Sequence, residues 1–290
     1  MMIMLKRLMT VSFHCSKRLF AVLVTVFLTA FSLQIMAQRK AWSLPQYEET
    51  FRALSLTGGT TFARDTYLSA SRYHGWAVGF ENDSWSCLYP DKLFKYGRNY
   101  SAMFFSSLKN RLDGGSTLEL GGSDYMAFLW PSVECSACDL LIGPAAMVEG
   151  AVLYNRQNSN NPVNFSGYLG AGVCIDNTFR FSLFRYPMAL QATLYVPLAG
   201  IGFAPDYDQP YYYMYKYGDY AKTLHFITPF NNPAFTQQVA LILPCAGNLI
   251  RVGYSFDYSG NDLGGHARSI GSGMFTLGCV FRFQAKKWDI

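Results

Sequence analysis

From Gly75 onward, large apolar residues recur at every second position, in segments of about ten residues separated by turn formers. Trp76, Val78 and Phe80 alternate with Gly75, Ala77, Gly79 and Glu81. Val148, Val152 and Tyr154 alternate with Met147, Glu149 and Ala151, and Leu169, Val173 and Ile175 with Tyr168, Gly170 and Gly172. Leu190, Leu194 and Val196 alternate with Gln191, Thr193 and Tyr195, and Val239, Leu241 and Leu243 with Gln238 and Ala240. The clearest run sets Ile250, Val252, Tyr254, Phe256 and Tyr258 against Arg251, Gly253, Ser255 and Asp257. A period of two puts the two sets on opposite faces of a β-strand. The pattern predicts strands over 52–62, 73–82, 98–108, 116–129, 140–154, 164–176, 187–198, 235–243, 249–258 and 269–283. The stretch 199–234 is long for a loop and predicts two more, near 210–217 and 221–227. The expected fold is all-β, a single antiparallel transmembrane barrel of about twelve strands, with ten as the alternative even count.

A soluble sandwich would alternate as well. Two features select the barrel. The less apolar face often carries Gly, Ala or Ser, as a narrow lumen requires, and the strands begin and end in Tyr, Phe or Trp, as an interfacial girdle requires. After residue 37 no run is long and apolar enough for a membrane helix. A spanning structure must then close on itself to satisfy its backbone. The segment Thr276-Leu277-Gly278-Cys279-Val280-Phe281-Arg282-Phe283 resembles the C-terminal signal by which outer-membrane assembly machinery recognises barrels. Thr276, Gly278, Phe281 and Phe283 carry that likeness. Residues 284–290 depart from it as a C-terminal tail.

Composition agrees with a wall facing lipid. Aromatics make up 17% and charged residues only 15%, against about a quarter charged in soluble domains. The net charge of +5 owes four units to Lys6, Arg7, Lys17 and Arg18, in a segment without Asp or Glu. The remainder is nearly neutral, with no basic stripe for nucleic acid. Those four residues precede the apolar run Leu19–Leu28 and the pair Met36-Ala37. This order predicts a cleaved secretory signal over residues 1–37 and a periplasmic lead-in over 38–51, with the barrel spanning 52–283. Export permits disulfides. Of the six remaining cysteines, Cys135 and Cys138 form one C-x-x-C, read as a local disulfide or two free thiols; a zinc site would want a second pair or a nearby His. Cys174 and Cys279 read as packing residues.

Several short pieces together resemble a Bacteroidetes outer-membrane barrel family known as a domain of unknown function. They are Tyr73-x-Gly75-Trp76, Tyr154-Asn155 with Asn160-Asn161-Pro162, Pro197-Leu198-Ala199-Gly200, and Phe203-Ala204-Pro205-Asp206-Tyr207 running on to Tyr211-Tyr212. The resemblance covers most of residues 70–283. It implies the barrel fold and the outer membrane of a Gram-negative bacterium, with outer-membrane lipid and the barrel assembly machinery as partners. It implies no catalytic residue and no cofactor. Glu81-Asn82-Asp83 also resembles an acidic motif of outer-membrane lipid A deacylases.

Candidate chemistry is sparse. Glu81, Glu119, Glu149, Arg251, Asp257 and Arg282 are expected to face the lumen. There they either brace a filled interior as ion pairs or line a pore for ions or small polar solutes. Tyr207, Tyr211, Tyr212 and Tyr213 either stack on glycans at the surface or form part of the interfacial girdle. His266 and Ser269 are the one close pair that could act as base and nucleophile in a lipid or lipid A hydrolase; a polar hairpin loop is the plainer reading. The function expected is a barrel without a catalytic site, acting as a small pore or as a structural or surface-interaction protein, with no metal and no cofactor.

Overall fold

The computed structural model describes residues 50–88, 93–110, 114–158, 162–184, 186–205, 211–218, 220, 223–245 and 248–283, the side chains of Tyr212, Tyr213, Arg282 and Phe283 excepted. The expected signal, most of the lead-in, the C-terminal tail, Tyr207 and the Asn160-Asn161 pair lie outside the described residues.

The elements run β1 (Thr50–Asp65), β2 (Ser69–Cys87), β3 (Tyr96–Lys109), β4 (Ser116–Glu134), β5 (Cys138–Asn155), β6 (Val163–Leu183), β7 (Tyr186–Phe203), α1 (Tyr211–Tyr217), β8 (Leu224–Ile227), β9 (Ala234–Cys245), β10 (Asn248–Leu263) and β11 (His266–Phe283). All pairings are antiparallel. Each strand from β1 to β7 pairs with its successor, β7 with β9, β9 with β10, and β10 with β11. The first and last strands close the ring, from Thr50 opposite Phe283 to Asp65 opposite Arg268. No edge is left there, so the backbone is satisfied between strands, as a hydrocarbon surrounding demands.

The barrel closes with ten strands, not the twelve preferred from the sequence. Residues 211–217 form a helix. Tyr211 and Met214, three positions apart, fall on one face and turn inward. Gly218 then ends the helix at φ +67°, its N–H donating to the Met214 carbonyl at 2.9 Å. Leu224–Ile227 is a strand but adds no new position to the ring. β8 and β9 both lie antiparallel to β7, β8 against 200–203 and β9 against 189–195. They are one barrel strand broken by the turn 228–233. Asn231 holds that turn, accepting from the Thr228 N–H at 2.7 Å and donating to the Phe226 carbonyl at 2.8 Å. No ladder joins β8 to β10. On the other flank of β7 the register slips at Leu198: Ala199 faces Ala171 while Pro197 faces Gly172. A bulge here suits Pro197, which has no N–H to give.

The apolar set points outward on every strand. Phe275 and Leu56 are each 71% exposed, and Trp76, Val78, Phe80, Met103, Leu120, Val148, Leu169, Ile201 and Leu277 are exposed alongside them. A continuous apolar belt of this size has no place on a water-soluble monomer. β6, with 21 residues, is about 70 Å long at ~3.3 Å per residue. Even tilted by about 40°, it overreaches an apolar band of roughly 25 Å. The strand ends therefore project beyond the band. We call the end carrying both chain termini of the barrel the terminal end, and the other the distal end.

Candidate functional site

The lumen is layered, and each layer follows from which inward positions are large. At the terminal end Phe51, Ala53, Trp85, Ala189, Ile242, Leu249 and Val280 form an apolar plug. Next comes a charged layer. Arg98 donates to both carboxylate oxygens of Asp83, at 3.0 and 2.7 Å, to Gln238 Oε1 at 3.0 Å, and to Asp176 and Thr193. Arg251 reaches Asp83 at 3.1 Å. Both guanidiniums lie against the Trp85 ring, at 5.5 and 5.7 Å. Arg98, Asp83 and Asp176 have no exposed side-chain surface. These side chains come from β2, β3, β6, β7, β9 and β10, so the network crosses the lumen from wall to wall. Tyr100, Tyr125 and Tyr195 stack above it, with ring centroids 5.1 and 5.3 Å apart.

Beyond the tyrosines several inward positions are small, among them Ala102, Ala151 and Ala234, beside the larger Phe104 and Met147. Ala102, Gly122, Gly150, Ala151 and Ala234 line a chamber of about 90 Å³ together with Glu119, Glu149 and Asp257. Tyr100, Tyr168 and Tyr195 border it. Glu119 accepts one hydrogen bond, from Ser106 at 3.0 Å, while its Oε1 has no partner among the described residues although the residue is fully buried. Asp257 accepts from Ser272 at 3.3 Å. A second cavity of about 30 Å³ continues toward the distal end, sharing Glu149, Tyr168, Asn232 and Ser259 with the first. Arg268 lines it, with Nε 3.9 Å from Asp65. At the distal rim, Tyr67 packs between Tyr211 and His266. The Tyr211 hydroxyl donates to Asn164 Oδ1 at 2.6 Å and accepts from the Phe165 N–H at 2.7 Å. Burial pushes that hydroxyl up to about 12, so it stays a neutral donor.

The described residues among those singled out from the sequence have definite places. Glu81, Glu119, Glu149, Arg251 and Asp257 face the lumen; Arg282 shares their face by strand register, its side chain being outside the described set. Glu81 accepts from Ser255 at 3.2 Å and Thr276 at 3.4 Å, below the chamber. The Tyr-rich segment is split. Tyr211 is an anchor packed into the rim, whereas Tyr215, Tyr217 and Tyr220 are the exposed rings. His266 points into the lumen and is 3% exposed, while Ser269, three residues on, lies on the outer face of β11; the two do not share a site. Phe275, Leu277 and Phe281 face outward. Gly278 meets a local demand, since a Cβ there would lie 2.1 Å from Ser55 Oγ across the closing β1–β11 seam. Cys135 and Cys138 are free thiols at the β4–β5 turn, the Cys138 N–H donating to Cys135 Sγ at 3.2 Å. Asp83, Arg98 and Asp176 were not singled out as lumen charges, yet they form its central network. Strand parity carried the signal: Asp176 shares the face of Gly172 and Cys174, and Arg98 that of Tyr100.

Residues 19–287 match the family model described as "Protein of unknown function (DUF3316)". The chain belongs to this family. No functionally curated protein matches it. Among solved structures it is similar to the outer membrane protease OmpT from Escherichia coli, at 9% identity and a TM-score of 0.47, covering 83% of this chain and 99% of that one. It is also similar to the transport unit of the autotransporter AIDA-I from Escherichia coli, at 10% identity and a TM-score of 0.37 over 87% and 97% of the two chains. A third is the translocator domain of autotransporter NalP from Neisseria meningitidis, at 8% identity and a TM-score of 0.34 over 92% and 98%. At these values the comparisons carry no activity over. The barrel assignment stands on the ring of pairings and the outward apolar belt.

Proposed function

We propose that this DUF3316 chain is an outer-membrane barrel closed across its terminal half, acting as a binding or structural protein of the membrane rather than as an open diffusion channel. The observation that carries the reading is Arg98, held by Asp83, Asp176, Thr193 and Gln238 across the lumen with no exposed side-chain surface. Of the two readings of the lumen charges, this favours bracing over a pore lining. The outward belt of Phe275, Leu277 and Phe281 supports lipid as the surrounding medium and assembly by the barrel assembly machinery. The likeness to Bacteroidetes barrels supports a Gram-negative host. The longest distal connection, 204–223, supports that end as the outer one, since outer loops run longer than periplasmic turns.

Planar-bilayer recordings of the refolded full chain test the reading. Silent insertion is expected, with membrane incorporation verified by flotation of protein-loaded vesicles. A steady ohmic conductance in the wild-type protein refutes it.

A further inference from the structure

The chamber holds a charge imbalance that its own walls do not correct. Glu119, Glu149 and Asp257 line it, and among the described residues its lining includes no guanidinium or ammonium. Arg98 and Arg251 are spent on Asp83 and Asp176 beneath the tyrosines; Arg268, in the next cavity, attracts Glu119, Glu149 and Asp65 at once, one cation against several carboxylates. A buried carboxylate without a partner is costly unless it takes up a proton or a cation comes to it. Glu119 shows this locally, being fully buried in the chamber wall with Oε1 unbonded among the described residues.

The carboxylates do not converge. Among the described residues no group of three acidic, His or Cys side chains is gathered closely enough to hold one metal ion. Charges spread around a chamber suit an extended ligand with separated cationic ends better than a point ion. A volume of about 90 Å³ has room for roughly six to nine water-sized groups at ~10–15 Å³ each. The space exists because the inward-facing Ala102, Ala151 and Ala234 are small there. The tyrosine rings beside it offer electron-rich faces to an ammonium group and apolar edges to a carbon chain.

We infer that the chamber binds a small organic cation of the alkyl-diammonium class, its ammonium groups received by Glu119, Glu149 and Asp257 and its carbon chain lying against Tyr100, Tyr168 and Tyr195. The inference rests on the closed-lumen reading, which makes the chamber a terminus and not a passage.

Isothermal titration of the full chain, folded in detergent micelles at low ionic strength, tests it with 1,4-diaminobutane as the probe and 1,4-butanediol as the uncharged control. Saturable binding of the diamine alone is expected. Glu119→Gln and Asp257→Asn should each weaken it by about tenfold or more, as for the loss of one partner of a desolvated charge pair. Asp124→Asn, an exposed carboxylate on the outer face bonded to Ser101, should leave it unchanged. Glu149→Gln serves as a further arm should either variant fail to fold by circular dichroism. No binding of the diamine, equal binding of the diol, or unchanged affinity in the folded variants overturns the inference. Ca²⁺ that saturates the site and excludes the diamine overturns it in favour of an inorganic ion. Bilayer conductance separates the two readings: a conducting wild-type barrel refutes the closed lumen, whereas a silent barrel that ignores the diamine refutes only the ligand.

Discussion

Removing Arg98 should unseat the centre of the barrel. Arg98→Ala deletes two hydrogen bonds to Asp83 and one each to Gln238, Asp176 and Thr193. Truncating one partner of a buried ion pair costs about 3–5 kcal/mol, because the remaining charge stays buried. The structure argues for the lower end. Asp83 keeps Arg251 at 3.1 Å, and Asp176 keeps the Thr193 hydroxyl at 2.9 Å and the Gln191 amide at 3.2 Å. Asp176 nevertheless loses its guanidinium partner. We expect a loss of about 3 kcal/mol. Equilibrium urea unfolding in lipid vesicles would measure it, with tryptophan emission as the probe, since Trp85 lies 5.5 Å from the guanidinium. Arg98→Lys keeps the charge without the planar fork and should recover part of the loss. Asp176→Asn in the Arg98→Ala background removes the carboxylate that loses Arg98 and should also recover part of it, a coupling that a double-mutant cycle reads directly. A loss under about 1 kcal/mol, or strict additivity of Arg98→Ala and Asp176→Asn, would refute the bracing argument.

Two further tests address the wall. A Cβ on Gly143 would lie 1.8 Å from the Phe128 carbonyl oxygen, whereas one on Gly150 meets nothing nearer than 3.9 Å. Gly143→Ala should therefore cost about 1–3 kcal/mol in the same unfolding assay, and Gly150→Ala should stay within about 0.5 kcal/mol; equal costs would contradict the register described for β4 and β5. Cys135 and Cys279 are both exposed, one at a turn and one on the belt. In protein reconstituted into vesicles, with the β4–β5 turn accessible, a charged maleimide should label Cys135 and spare Cys279, and mass spectrometry showing equal labelling would remove lipid from the face of β11.

The strands were legible because one physical rule governs them. Hydrocarbon outside and a narrow lumen inside leave large and small residues no choice but to alternate, and Ile250 to Tyr258 record that choice residue by residue. The rule fails wherever backbone partners change. Residues 210–217 are aromatic enough to pass for a girdle strand, yet Tyr211 and Met214 bury a helical face and Gly218 stops it. The break in the strand beside β7 depends on Asn231 folding back on Thr228 and Phe226, a local bond that no periodicity records. The lumen charges were legible in orientation but not in partnership. Glu119 and Asp83 carry the same sign on inward positions, and only the relative heights of six strands decide that one meets two arginines and the other meets open space.

That difference in height gives the lumen two characters. In the terminal half the lumen is packed, and opening it would mean stripping Arg98 from two fully buried carboxylates. In the distal half, the inward Ala102, Ala151 and Ala234 leave room, and three carboxylates line that room with no cation among its described lining residues. The wall is also weakest near this level: β7 bulges at Leu198, β8 and β9 part around Asn232, and no ladder joins β8 to β10. A barrel that needed only to be rigid would fill such a space with Leu and Phe, which costs nothing in hydration and gains packing. Retaining three acids beside the interrupted β8–β9 strand costs stability in the empty protein, and a cationic occupant would offset that cost.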